Sequence, residues 1–252
     1  MVSLPASRHD MREAAKDRLR TFLRSIGLEL TRYRGTLTDH RQRLLQRMHV
    51  CTLYDVGANV GQYAFAVRHG GFRGTIHSVE PNPAAAARLQ QRAAADSRWH
   101  VHECAIGAKP CTTMLNISAN SVSSSLLGME ARHFESYPES AYVKQTPVNL
   151  RTLSDLVEDT SAETDMLAVK LDVQGLEGEV LLGAESILSK VVLLEIEVSL
   201  APLYIGQSSA WQLLQLANDA GFRIVDLDRV CWDHRNGDLL QANILFKRTV
   251  ST

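Results

Sequence analysis

No stretch of this 252-residue chain holds the roughly 18 uninterrupted apolar residues that a membrane-spanning helix needs. The nearest run, VVLLEIEVSLAPLYI, is broken by Glu195 and Glu197. The first 25 residues lack a continuous apolar core and carry arginines throughout, which argues against a secretory signal. The four cysteines, Cys51, Cys104, Cys111 and Cys231, form no C-x-x-C pair, so zinc is disfavoured and a reducing compartment is expected. These absences lead to the expectation of a cytoplasmic protein.

Whole reaction classes are missing as well. The chain has no G-x-G-x-x-G, which disfavours a nicotinamide dehydrogenase, and no G-x-S-x-G turn for a hydrolase serine. Its nine histidines contain no H-x-x-x-H pair suited to zinc. The base-amine motif Asn/Asp-Pro-Pro-Tyr/Phe is absent and the body is acidic, so no nucleic-acid partner is expected.

What is present is ordinary for a globular chain that buries a sizeable core: 45% hydrophobic and 22% charged residues. The net charge of −1 conceals an asymmetry, because residues 1–49 hold eleven Arg or Lys against five Asp or Glu. Met11, Ala15, Leu19, Phe22, Leu23 and Ile26 recur there at helical spacing with arginines opposite. A second short helix is expected after Thr38-Asp39, burying Leu44, Leu45 and Met48. Residues 1–49 therefore read as a basic helical extension. Two roles stay open for it: a lid packed on the main domain, or peripheral contact with an anionic inner membrane face or a partner enzyme.

Residues 50–252 read as one domain in which strands alternate with helices, the pattern of a mostly parallel sheet covered on both faces. CTLYDV, GTIHSVE, WHVHECAIG, ETDMLAVKLDV, KVVLLEIEV, FRIVDLD and QANILFKR read as strands. GQYAFAVRHG, PAAAARLQQRAAAD, LEGEVLLGAESIL and SAWQLLQLANDAG read as helices. The last strand follows its predecessor without a helix and is expected to run antiparallel. Residues 116–146 break the rhythm with a polar, serine-rich stretch between two strands, which reads as a lid insertion.

The turn after the first strand, DVGANVG, carries the chemical signal. Ligands of open parallel sheets bind at the carboxyl ends of the strands. Gly57 permits a sharp turn, and Gly61 lets the next helix and a ligand approach closely. Glu80, ending the second strand in SVEPNP, can accept two hydrogen bonds from a ribose diol. Asp55 places an anion where a pyrophosphate would otherwise sit, which suits a ligand with a ribose and a positive charge, as S-adenosylmethionine has. Asn59, Pro81 and Asn82 complete the two turns. Glu103, Cys104 and Ala105, in ECAIG, are the expected edge contacts for adenine.

DVGANVGQYA, VEPNP, CAIG, SSSL, TLSDL and KLDVQGLEGEVLLGA together resemble the FkbM-type methyltransferases, over about Leu53 to Glu197. The resemblance implies a class I methyltransferase Rossmann-like sheet and S-adenosylmethionine-dependent O-methylation of a sugar or polyketide hydroxyl. Length and the arginine-rich front resemble members that methylate deoxysugars of glycolipids, so a small-molecule or glycolipid substrate is expected. Gln174 departs from the Glu found in many relatives.

Methyl transfer to a hydroxyl needs in-line alignment and a base. Asp172, at the end of LAVKLD and also facing the cofactor, is the first candidate. Glu195 is the second, and it shares a strand face with Glu197. His133 in the lid is a third. Lys170 could pair with a carboxylate. Asp172 and Glu195 could hold Mg2+, although two carboxylates make a weak metal signal. Ser121, Ser123, Ser124 and Ser125 could touch substrate or the cofactor carboxylate, and Tyr137, Tyr142 and Trp232 could stack on a sugar. The competing function is a cofactor-binding module without turnover that docks on a membrane or partner.

Overall fold

The computed structural model describes residues 18, 19, 21–23, 25, 36–160 and 166–249. The chain forms two compact units, Met1–Thr36 and Leu37–Thr252. In the first, the described residues 18, 19, 21–23 and 25 are helical; Met11, Ala15 and Ile26 lie outside the described residues.

The second unit opens with α1 (Leu37–Arg47), then β1 (Thr52–Val56), α2 (Gln62–His69), β2 (Thr75–Val79), α3 (Pro83–Ala93) and β3 (Trp99–His102). The short β4 (Ala105–Ile106) follows, then β5 (Cys111–Ser118), α4 (Ala131–Ser136), β6 (Tyr142–Arg151) and α5 (Leu153–Asp159). The chain closes with β7 (Leu167–Leu171), α6 (Glu177–Leu182), β8 (Val191–Ser199), α7 (Ala210–Asp219), β9 (Phe222–Trp232) and β10 (Leu239–Arg248). Seven strands form the main sheet in the order β3-β2-β1-β7-β8-β10-β9, and β4-β6-β5 form a second sheet. Strands β3, β2, β1, β7 and β8 pair in parallel; β10 runs antiparallel to both its neighbours, as expected of the last strand.

Period-two alternation divides the main sheet into two apolar faces. Leu53, Ala168, Leu193 and Leu245 meet Leu44 and Leu45 of α1, Ala64 and Val67 of α2, and Leu89 of α3. Tyr54, Val56, Val169, Leu171, Leu194 and Ile196 face the other way and pack with Leu153 and Leu156 of α5, Val180 of α6 and Leu213 of α7. The helix ends follow local chemistry. Asn82 caps α3 by accepting the Ala84 amide at 3.1 Å, with Pro83 at the first helical position. Ser209 and Gln212 form a capping box on α7.

Four elements depart from the sequence pattern, each for an identifiable reason. LEGEVLLGAESIL is broken into α6 and a 3-10 turn, Glu185–Lys190, because the backbone at Gly183 packs on Gly107; a Cβ there would lie 2.1 Å from the Gly107 carbonyl oxygen. WHVHECAIG is divided because the chain leaves the main sheet after His102, and Ala105–Ile106 pair with β6 instead. The strand FRIVDLD continues to Trp232, since β10 pairs with it along that length. Helix α1 starts at Leu37, and the Thr38 hydroxyl accepts from Arg41 Nη2 at 3.1 Å rather than capping the helix.

Among the described residues no helix is long and apolar enough to cross a membrane, and the four cysteines are free thiols. Leu245 is fully buried between β8 and β9 beneath α1. Leu245→Ala is expected to cost about 2–5 kcal/mol of stability through the cavity it leaves, measured by urea denaturation.

Candidate active site

On the face under α1 and α2 the main sheet changes character along its strands. Toward the amino ends that face is apolar, with the register row Leu53, Ala168 and Leu193. Two residues further along, the row is Asp55, Lys170 and Glu195, one charge on each of β1, β7 and β8. The Lys170 ammonium lies 3.0 Å from Asp172 Oδ2 and 3.7 Å from Asp55 Oδ1, and donates to the Gly57 carbonyl at 3.4 Å. Burial pulls its pKa down, but Asp172 and Asp55 outweigh burial and hold it above the usual lysine value. Lys170 is therefore a fixed cation and cannot accept a proton from substrate.

A cavity of about 350 Å³ opens at the carboxyl ends of β1, β2, β7 and β8. Its wall includes Gly57, Asn59, Glu80, Pro81, Cys104, Ala105, Asp172 and Glu195, which brings together eight of the residues that sequence reasoning singled out. Gly57 has φ +80°, and a Cβ on it would lie 1.8 Å from the Asp172 carbonyl oxygen. Asn59 is also left-handed, φ +48°, and its backbone N–H donates to Glu80 Oε2 at 2.8 Å. The Asn82 N–H donates to Glu80 Oε1 at 2.8 Å. The Glu80 carboxyl is thus fixed in the plane of two turns. Burial pushes its pKa up to about 7, against the pull of those two amides.

The loop after β7 is built on a second buried acid. Glu177 accepts from the amides of Val173 and Gly175, and burial pushes its pKa up to about 7. This holds Gln174 (φ +55°) and Gly175 (φ +104°) in left-handed conformations. The Gln174 amide nitrogen donates to Asp172 Oδ1 at 2.6 Å and to Glu197 Oε2 at 2.9 Å, and its oxygen accepts from Tyr204 at 2.6 Å. Glu197 also accepts from Gln241 at 2.7 Å, and burial together with the nearby Asp172 carboxylate pushes its pKa well up. The lid is tied to this loop by Ser125 Oγ, which donates to the Gln174 carbonyl at 2.6 Å. Ser121, Val122, Ser124, Ser125 and Leu126 of the lid line the cavity.

Several expected site residues lie elsewhere. Asp55 is fully buried beneath the floor, where it faces Lys170 and accepts from Ser78 at 3.4 Å, so it does not point at a ligand. Gly61 packs toward Leu89 and Trp99, serving the approach of α2 to α3. Asn82 is committed to its helix cap and to Glu80, and Glu103 is exposed outside the cavity. His133 is buried in α4 with its ring edge-on to Tyr204 at 5.1 Å, and burial lowers its pKa; it is not in the cavity wall. Tyr142 and Tyr137 spend their hydroxyls on the carbonyls of Leu127 and Trp232, and neither they nor Trp232 line the cavity. Asp172 and Glu195 are each held by a cation, Lys170 and Arg41, and among the described residues no group of three His, Cys, Asp or Glu gathers to hold a metal. Mg2+ has no support here.

Sequence reasoning missed Thr38, Arg41, Gln62, Tyr63 and Asn243, all of which line the cavity. Tyr63 donates to Glu195 Oε2 at 2.9 Å, and Arg41 Nε lies 3.3 Å from the same oxygen, with its guanidinium 4.4 Å over the Tyr63 ring. No motif marks them, and the charge surplus of residues 1–49 was the one trace of Arg41.

A parallel sheet with an antiparallel strand slotted in near one edge, a glycine turn after β1 and an acid after β2 define a class I S-adenosylmethionine-dependent methyltransferase. This chain belongs to the FkbM methyltransferase family, whose sequence model, described as the Methyltransferase FkbM domain, matches residues 55–224. No curated protein matches it. Solved structures give remote likenesses. An rRNA methylase from Streptococcus thermophilus has TM-score 0.48 and 9% identity, covering 87% of this chain and 100% of that one. Magnesium protoporphyrin IX methyltransferase from Synechocystis PCC 6803, solved with bound S-adenosylmethionine, has TM-score 0.43 and 11% identity, covering 99% and 100%.

Two of the left-handed glycines, in opposite surroundings, generate a test. Gly237 has φ +81° with nothing within 4 Å of an added Cβ, so Gly237→Ala should cost about 1–2 kcal/mol, from backbone strain alone. Gly57→Ala adds a collision with backbone and should cost clearly more, read as the difference in Tm between the two variants.

Proposed function

We propose that this methyltransferase acts on a hydroxyl of a sugar, such as a deoxysugar of a glycolipid, or of a similar natural product. The observation that carries this reading is Asp172, whose carboxylate sits in the cavity wall between the Gly57 turn and the lid. Alcohol oxygens are poor nucleophiles until a base takes up their proton, and a positioned carboxylate supplies about 10²–10⁴-fold.

S-adenosylmethionine supplies an electrophilic methyl carbon on a sulfonium. With the cofactor bound, Glu80 would accept hydrogen bonds from the ribose diol, and Cys104, Ala105 and Ile106, which line the cavity, would form the adenine end. The left-handed turn at Gly57 and Asn59 would let the backbone pass close to the ribose. Asp172 is oriented from two sides, by Lys170 on Oδ2 and by Gln174 on Oδ1. Those contacts fix the carboxylate plane, and the acceptor hydroxyl donates to it along a remaining lone-pair direction. The lid serines, rich in donors and acceptors, contact the acceptor's other hydroxyls and exclude water.

Two measurements test this. The protein, S-adenosylmethionine and a panel of sugars and glycolipid extracts should yield a product heavier by one CH2; in Asp172→Asn turnover should fall at least about 10²-fold while S-adenosylhomocysteine affinity stays within a few fold. Unchanged turnover would remove Asp172 from the base role. The second concerns Glu80, which must be ionised to accept from both ribose hydroxyls. With its carboxyl pushed up to about 7, S-adenosylhomocysteine affinity should weaken as pH falls from 8 to 6, by up to about tenfold from the loss of ionised Glu80. Glu80→Ala should bind weakly at both pH values.

A further inference from the structure

We propose that Arg41 of α1, paired with Glu195 of β8, clamps the zwitterionic amino-acid end of the cofactor. The proposal rests on the cofactor reading above and names a subsite within it.

Among the described residues, two cations line the cavity, Arg41 and Lys170. Lys170 is consumed by Asp172 and Asp55. Arg41 is 6% exposed, yet its guanidinium is under-used: Nη2 donates to Thr38 Oγ1, while Nε is a buried donor with no hydrogen bond of good geometry, 3.3 Å from Glu195. A buried fork with donors to spare, set in a cavity wall, is built for a planar anion. The carboxylate beside it, Glu195, is held by the Tyr63 hydroxyl and suits an ammonium. A group carrying both charges leaves the Arg41–Glu195 pair balanced, whereas a plain anion would meet Glu195 and a plain cation would meet Arg41.

The dimensions agree. Glu80 directly follows β2 and Glu195 lies in β8, with β1 and β7 between them and Glu195 in the register row of Ser78, so three inter-strand steps and two residues along the strands, about 16 Å in all, separate the two acids. From ribose to carboxylate, S-adenosylmethionine spans about 9 Å when extended, and a hydrogen bond of about 2.9 Å at each end brings the reach to about 15 Å. With the ribose on Glu80, the methionine tail crosses Gly57 and ends at Arg41, and the sulfonium lies midway, beside Asp172. The acceptor then enters from beneath the lid. Glu195 thereby holds the α-ammonium, and Asp172 is left as the base.

Calorimetric titration with S-adenosylhomocysteine and with 5′-methylthioadenosine, which lacks the amino-acid end, tests the clamp. Wild type should prefer S-adenosylhomocysteine by about 10- to 100-fold, the value of a charge-assisted contact. Arg41→Gln should lose that preference with 5′-methylthioadenosine binding unchanged, and Arg41→Lys should keep part of it. Because Arg41→Gln strands the Glu195 charge, the Arg41→Gln/Glu195→Gln double variant is measured alongside, with thermal melts to confirm folding; it should lose the preference too. Full preference in the folded double variant would overturn the clamp, as would equal loss of both ligands. A wild type that binds neither ligand would instead sink the cofactor reading as a whole.

Discussion

The structure depends on one ammonium group. Lys170 sits on the central strand of three, with an acid beside it on β1 in the same register row, another on β8, and Asp172 at its strand's end. An unpaired charge in that place would cost several kcal/mol. Surrounded as it is, Lys170 allows a sheet that is apolar for most of its depth to end in a row of charges. The cavity exists because the apolar packing stops there. Leu53, Ala168 and Leu193 sit under helices, and two residues on, the same face has exchanged methyl groups for two carboxylates and an ammonium.

From that row the site is assembled by side chains holding backbone. Glu80 collects an amide from each of two turns, and Glu177 collects two from a third. Both acids are nearly buried and both are drawn toward neutrality by that burial. Gln174 links the remaining parts: it spans Asp172 and Glu197, and takes a hydrogen bond from Tyr204. An amide suits this position because it donates to two acids and accepts from a phenol at once. A carboxylate there would face two others.

Much of this was legible in the sequence and some was not. The Asp55–Gly61 turn, the acid at Glu80 and the strand ending in Asp172 were legible because each is local: a backbone need or a strand end fixes the residue. The two faces of each strand were legible from alternation, including Glu195 and Glu197 sharing one. Asp55 was misplaced because its partner lies 115 residues away, on another strand, and nothing near it announces Lys170. Arg41 and Tyr63 were invisible for the same reason. On a helix an arginine among polar neighbours reads as solvated, and only the packing of α1 against the sheet carries it inward to Glu195. His133 looked like a loop histidine and proved to be buried against Tyr204.

The lid hangs from a sheet of its own. Strands β4, β5 and β6 share no ladder with the other seven, and the turn of chain at Glu103–Cys104 joins the two sheets. Residues 119–141 add no strand to the main sheet, and they reach it at its margin, where Tyr137 donates to the Trp232 carbonyl of β9 and Met129 bridges to Tyr204. The cavity is thus walled from two separate ladders: the lid's sheet brings Ser121, Ser124 and Ser125, while the main sheet's strand ends bring Gly57, Glu80 and Asp172.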